Sequence, residues 1–225
     1  MEESISIKQV IISAGIALGF ITLLVLAILA LDVLKSGNSK IAGASTTPTE
    51  ADDMASMHAP PSPADNTKFQ SLLGLPAPLF KLQSYDGREV DLASFKGKNV
   101  VLFFSEGAMC APSCWDQINA FTKDSGFSKE NTVVLVVVVD SKADWDGVVR
   151  EDPKIAAATV LLDSDRKVSE SYGVLTVDSS MHRGQFPGHT YVVVDKDGVI
   201  RYEKDDPDMR INNKELLANI SKLNK

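Results

Sequence analysis

Residues 105–118 read SEGAMCAPSCWDQI and contain both cysteines of the 225-residue chain, Cys110 and Cys114. Two thiols four positions apart can close a disulfide, hold a soft metal ion, or fill a core as small apolar side chains. One helical turn apart, their α-carbons stand about 6 Å from each other, inside the roughly 4.4–6.8 Å span of a disulfide. Pro112 lies between them, and proline is tolerated in the first turn of a helix, whose N–H groups lack intrahelical partners. Cys110 therefore falls at or just before a helix N-terminus, where free N–H groups and the helix dipole favour thiolate over thiol. Cys110 is the expected attacking thiolate of a reversible dithiol, and Cys114 the resolving thiol. Glu106 is a candidate proton acceptor for the inner thiol, and Trp115 is expected to pack over the pair. A closed structural zinc site needs four ligands, which two cysteines and three scattered histidines do not assemble.

This chemistry needs a scaffold on either side. NVVLFFS (Asn99 to Ser105) and TVVLVVVVD (Thr132 to Asp140) are continuous, β-branched apolar runs bounded by polar residues, the pattern of strands buried on both faces of a sheet. Between them Trp115, Ile118, Phe121 and Thr122 recur at helical spacing, with Gly126 as the expected helix end. Strand, helix and strand make a βαβ unit. LFKLQSY and REV flank Asp86-Gly87 as a hairpin, and TYVVVD and GVIRYE flank Lys196-Asp197-Gly198 as another. A helix is expected over Ala143 to Arg150, a short strand at Thr159 to Asp163, and a helical turn at Val168 to Tyr172. The last helix runs from Asn212, with Glu215 as a capping-box partner, to about Leu223. The acidic pairs Asp163/Asp165 and Asp195/Asp197 read as turn chemistry, because neither carries the spacing of a calcium loop. His182 and Met181 fall in a polar loop.

The N-terminal part differs in kind. After the flank 1–9, residues 10–31 carry no charge over roughly 22 mostly apolar positions, enough to cross a bilayer's hydrocarbon core of about 30 Å. The run is too long for a signal-peptide core, Glu2 and Glu3 outnumber Lys8, and no small-x-small cleavage site follows, so an uncleaved single-pass anchor in the lipid bilayer is expected. Residues 36–68 are rich in Ser, Thr, Pro, Ala and Asp without apolar periodicity and read as a disordered linker. Residues 69–225 form the folded domain. A cysteine pair without further metal-ligand pairs suits an oxidising compartment, so the domain is expected on the extracytoplasmic side of the cell membrane. A formal net charge of −7 and the absence of a Lys/Arg-rich run argue against a nucleic-acid partner.

From Phe69 onward, the segment LGLPAPLFKLQSYDGREVDLASFKGKNVVLFFS, the cysteines directly after that strand, and the hairpin HTYVVVDKDGVIR resemble the redoxin branch of the thioredoxin superfamily. That branch includes peroxiredoxins of the AhpC/TSA type. The resemblance implies an α/β thioredoxin-like three-layer sandwich, with a central mixed sheet between helices. It also implies thiol–disulfide exchange with a protein disulfide or dithiol partner, or peroxide reduction, without an organic cofactor. Peroxiredoxins place Pro seven and Thr or Ser three residues before the reactive cysteine. Here those positions hold Phe103 and Gly107 before Cys110, and Gly107 and Ala111 before Cys114. The activating Arg before the late strand is replaced by His189. Disulfide oxidoreductases of the superfamily use a two-residue cysteine spacer and a cis-proline before that strand; here the spacer has three residues and Pro187 lies two positions before His189. The three-residue spacer and the histidine are also similar to the membrane-anchored SCO-type copper-binding proteins, a likeness that implies copper at Cys110, Cys114 and His189 as the alternative reading.

Overall fold

The structure, a computed structural model, describes residues 63–224. The expected anchor at 10–31 and most of the linker lie outside these residues, and among the described residues no helix is long and apolar enough to cross a membrane. In chain order the elements are α1 (Thr67–Gln70), β1 (Lys81–Ser84), β2 (Glu89–Asp91), β3 (Asn99–Phe104), α2 (Ser113–Lys123), α3 (Gly126–Lys129), β4 (Thr132–Val138), α4 (Lys142–Glu151), β5 (Val160–Leu162), α5 (Lys167–Ser171), β6 (Thr190–Val194), β7 (Ile200–Asp205) and α6 (Asn213–Leu223). The strands form one 7-stranded mixed sheet in the order β2-β1-β5-β4-β3-β6-β7.

The two β-branched runs are parallel neighbours at its centre, in register from Asn99 opposite Thr132 to Phe104 opposite Val137. β3 is buried at every position, and its side chains divide between the faces with the two-residue period of a strand. Val100, Leu102 and Phe104 join a core with Phe69, Leu135, Val137, Val168 and Tyr172. Val101 and Phe103 point the other way, into a core with both cysteines, Trp115, Ile118, Phe121, Trp145, Leu216 and Ile220. Helices α2, α4 and α6 thus cover one face, and α1 and α5 the other. Both expected hairpins form, β1 against β2 and β6 against β7.

Three local expectations need correction. The linker does not extend through residue 68: Phe69 is buried in α1, the Asp65 N–H donates to the Thr176 carbonyl, and the Asn66 side chain reaches Asp205 and the Asp178 N–H. Gly126 does not end α2; the helix stops at Lys123, and Gly126 opens α3, where a Cβ would meet Leu217 of α6. The capping box at Asn212 is absent. The Asn212 side chain is drawn to Asp206, Arg210 and Lys204, while Glu215 pairs with Tyr202 and Lys204. The Ala111–Pro112 peptide bond, inside the cysteine turn, is cis. The acidic pairs do act in turns: Asp163 accepts from the Val168 and Ser169 N–H groups, and Asp195 from those of Asp197 and Val199.

Candidate redox site

β3 runs out at Phe104, in the middle of the sheet, so whatever follows it is held by the most buried backbone of the domain. Ser105 and Glu106 lead into a short 3-10 turn at Gly107–Met109, and Cys110 closes that turn. Cys110 and Cys114 are joined as a disulfide with α-carbons 5.4 Å apart. Cys114 sits in the first turn of α2, with its N–H bonded to the Cys110 carbonyl at 3.0 Å. Cys110 lies just outside the helix, ahead of the N-cap residue Pro112. Both are buried, at 4% exposure for Cys110 and 0% for Cys114, so Cys110 is the less completely enclosed residue of the pair.

Two groups pin the turn from behind. The Trp115 indole N–H donates to the Gly107 carbonyl at 3.2 Å, and Trp115 packs in the same core as both cysteines. Asp140, at the end of β4, accepts the Ala108 N–H with its carboxylate at 3.2 Å. Gly107 has φ +65°, and a Cβ there would run into that carboxylate, so only glycine lets the turn pass this close. Burial pushes the Asp140 carboxyl up to about 6, and Asp144 nearby adds to the rise.

His189 reaches the cysteines from the neighbouring strand. β6 pairs antiparallel with β3, Thr190 opposite Phe104, so the residue before Thr190 lies beside the exit of β3. His189 Nδ1 is 3.4 Å from Cys114 Sγ, and its ring meets Phe103 edge-on with centroids 4.8 Å apart. It is 1% exposed, and burial pushes its imidazole down to about 4, which keeps it neutral. The donor atoms of Cys110, Cys114 and His189 all lie within 4.8 Å of one another. On reduction these are two thiols and an imidazole, a soft donor set of the kind that suits copper.

Glu106 is a buried carboxylate whose hydrogen-bond partners lie in the loop before β6. It is 1% exposed, and its oxygens accept the Met181 N–H at 2.6 Å, the His182 N–H at 3.1 Å and a contact from His182 Nδ1 at 3.2 Å. It fastens the loop before β6 to the end of β3. Met181 and His182 therefore occupy a partly exposed loop anchored beside the cysteine turn.

Two further residues of the site escaped the sequence reading, although their spacing marks them. Tyr191, two positions after His189 on the same strand, shares its face; its hydroxyl lies 2.7 Å from His189 Nε2. Gln117, three positions after Cys114, shares that residue's helix face, and its Oε1 accepts from the Tyr191 hydroxyl at 3.0 Å. A polar residue on an otherwise apolar helix face was the available signal.

The chloroplastic putative peroxiredoxin Q of Oryza sativa subsp. indica is 34% identical over 131 residues, 57% of this chain and 57% of that protein. Peroxiredoxin-2 of Pongo abelii is 36% identical over 139 residues, 57% of this chain and 75% of that protein. The chain thus spans little more than half the length of the rice relative. Among solved structures, the reduced 2-Cys peroxiredoxin of Plasmodium vivax superposes with a TM-score of 0.56 at 25% identity, over 67% of this chain and 80% of that one. AhpC of Mycobacterium tuberculosis superposes at 0.59 with 20% identity, over 68% of this chain and 93% of that one, which establishes the thioredoxin-like fold. The AhpC/TSA family model matches residues 73–203, a stretch that contains β3, the cysteine turn and His189. The chain belongs to the AhpC/TSA family.

Proposed function

We propose that the domain is a thiol–disulfide oxidoreductase whose working group is the Cys110–Cys114 pair. The observation that carries the reading is the disulfide itself, closed within one turn at the exit of the central strand, with Cys110 the less completely buried residue and Cys114 fully buried. In the reduced chain Cys110 attacks a partner disulfide, and Cys114 then displaces the partner by closing the internal bond. The apolar run at 10–31 supports attachment to a membrane, and the cysteine usage an extracytoplasmic placement for the domain. Equilibrating the full-length chain against glutathione buffers, with a coloured disulfide as substrate, tests the activity. A pair that stays reduced at every poise, or that cannot reduce the probe, ends this reading. Retention of the chain in membranes through alkaline carbonate washing tests the anchor.

The family relationship supports peroxide reduction as a second reading. The Cys110 thiolate attacks one peroxide oxygen, the O–O bond breaks and the alcohol or water leaves; Cys114 then condenses with the sulfenic acid, releasing water. The Thr or Ser and the Arg of the peroxiredoxin pattern are missing around Cys110. Stopped-flow mixing with hydrogen peroxide decides: a rate no faster than free cysteine removes the reading.

The convergence of Cys110, Cys114 and His189 supports copper binding by the reduced chain as a third. One-to-one copper binding that His189→Ala weakens more for Cu(II) than for Cu(I) is its expected signature, since thiolates alone retain the softer ion. Weak, non-stoichiometric binding rejects it.

A further inference from the structure

Four hydrogen-bonded side chains behind the disulfide determine which way the His189 ring carries its proton, and the assignment can be followed from fixed backbone groups. The Ala120 carbonyl and the Asp124 carboxylate can only accept, so the Asn213 group 3.0 and 3.1 Å from them is its NH2. The Asn213 oxygen therefore faces Gln117 Nε2 at 2.8 Å. This turns Gln117 Oε1 toward the Asn212 N–H at 2.7 Å and toward the Tyr191 hydroxyl at 3.0 Å. The second neighbour of that hydroxyl is the Arg210 carbonyl at 3.1 Å, again an acceptor. A phenol, with an ordinary pKa of about 10, keeps its proton at neutral pH. Its single O–H donates to one of these two oxygens, neither of which can donate to it, and toward His189 the hydroxyl then offers a lone pair. The ring nitrogen 2.7 Å away, Nε2, must then be N–H, and Nδ1 bears the lone pair directed at Cys114 Sγ.

We propose that Tyr191 is a positioning residue that holds His189 in the Nε2–H tautomer, so that Nδ1 accepts the Cys114 thiol proton when Cys114 closes the disulfide. The inference rests on the thiol-exchange reading and deepens it: the proton acceptor that sequence placed at Glu106 is His189, and Glu106 is committed to the 181–182 loop. In the mixed disulfide between Cys110 and a partner sulfur, the Cys114 S–H proton moves along its hydrogen bond to the neutral His189 Nδ1 as the sulfur attacks, not in a separate step before it. The Cys114 sulfur attacks Cys110 Sγ, the bond from Cys110 to the partner breaks, and its electron pair leaves on the partner thiolate, which takes up a proton. The chain's dithiol is oxidised by two electrons and the partner disulfide is reduced to the dithiol level; a dithiol reductant restores the chain. Among the described residues, no such acceptor lies within hydrogen-bond distance of the Cys110 sulfur, which divides the labour between the two sulfurs.

The full chain contains three histidines, so selective ring-15N labelling yields three imidazole patterns, with His58 and His182 assigned by substitution to Gln. For His189 the expected pattern is a protonated Nε2 and an unprotonated Nδ1; a protonated Nδ1 overturns the proposal whether or not exchange occurs. The second measurement mixes reduced chain with a dithio-aryl disulfide probe. The first coloured thiol reports attack by Cys110, and the second its displacement by Cys114. Tyr191→Phe is expected to slow the second phase about tenfold to a hundredfold, within the reach of general base catalysis, while leaving the first phase within about twofold. Equal slowing of both phases, or none, also overturns it. If Tyr191→Phe does not fold, the spectrum of the unsubstituted chain still decides. Absence of the first phase in the unsubstituted chain removes the exchange reading instead, leaving the tautomer measurable.

Discussion

His189 Nδ1 lies 3.4 Å from Cys114 Sγ although 75 residues separate them in the chain. The contact is a product of strand order. β6 is the antiparallel neighbour of β3, so the residue entering β6 meets the residues leaving β3, and the cysteine turn is the first structure after that exit. The histidine stands behind the Cys114 sulfur, and the Cys110 sulfur is left for a partner.

That division predicts opposite outcomes for two cysteine substitutions. Cys114→Ser is expected to trap a stable mixed disulfide between Cys110 and a disulfide probe, seen as one added thiol mass by intact-protein mass spectrometry. Cys110→Ser is expected to give little adduct in the same time, because Cys114 is fully buried. Equal adduct formation by both variants would show that burial does not order the two sulfurs.

A second prediction concerns the close approach of Gly107 to Asp140. Gly107→Ala adds a Cβ at φ +65° and drives it into the Asp140 carboxylate, whereas Gly87→Ala, at φ +87°, meets nothing within 4 Å. Gly87→Ala carries the backbone penalty alone, about 1 kcal/mol, and Gly107→Ala adds an overpacking cost of about 1–3 kcal/mol. Urea unfolding of the two variants checks the difference. Equal losses would mean that the turn moves away from Asp140 without cost.

How much of this could be read in advance follows from what each feature depends on. The central strands, both hairpins and the helix after the cysteines are local patterns of period and turn chemistry, so NVVLFFS, TVVLVVVVD and the Asp-Gly turns reveal them. His189 was legible as a candidate because one residue type precedes one strand. The end of α2 was misread at Gly126 because that glycine answers a tertiary demand, the passage of Leu217, and no local rule carries that information. The partners of Glu106 were not legible for a similar reason: the loop at 181–182, which folds over it and supplies two N–H donors, is more than 70 residues away in the chain. Tyr191 and Gln117 belong to a network whose members are close only once β6, α2 and the start of α6 are assembled.

Asp140 predicts a pH dependence. Its folded pKa, pushed up to about 6 by burial, exceeds the value of about 3.8 expected when unfolded, so the folded state binds the proton more tightly. The associated stabilisation is complete below about pH 4 and is lost as pH rises through about 6. Two pKa units correspond to about 3 kcal/mol at most. Asp140→Asn keeps an oxygen for the Ala108 N–H and cannot ionise. The difference in Tm between variant and unsubstituted chain is therefore expected to grow in the variant's favour from pH 4 to pH 7. A difference that stays constant over that range would show that Asp140 is not desolvated in the folded chain.

The last prediction tests the role the structure gives Glu106. Its carboxylate is buried and its partners are two consecutive N–H groups and one imidazole nitrogen of the same loop, so it acts as the tie between that loop and the strand that delivers Cys110. Glu106→Ala leaves the Met181 and His182 N–H groups without their acceptor, a cost of about 1–3 kcal/mol for each that water does not reach. Because the loop can release toward solvent to recover those bonds, the expected result is local opening with a smaller global loss. Arg183 follows directly and is held by its side chain to the Val177 and Asp178 carbonyls, so opening should expose a tryptic site at that residue. Limited trypsinolysis is expected to cut Glu106→Ala at Arg183 at least about tenfold faster than the unsubstituted chain, the ratio set by about 1.4 kcal/mol of opening free energy. Glu106→Gln, which keeps one acceptor oxygen, is expected to fall between the two. Cleavage at an unchanged rate in Glu106→Ala would show that the loop is held by its other contacts, such as the Ser180 hydroxyl on the Phe186 carbonyl, and that Glu106 has some other work at the site.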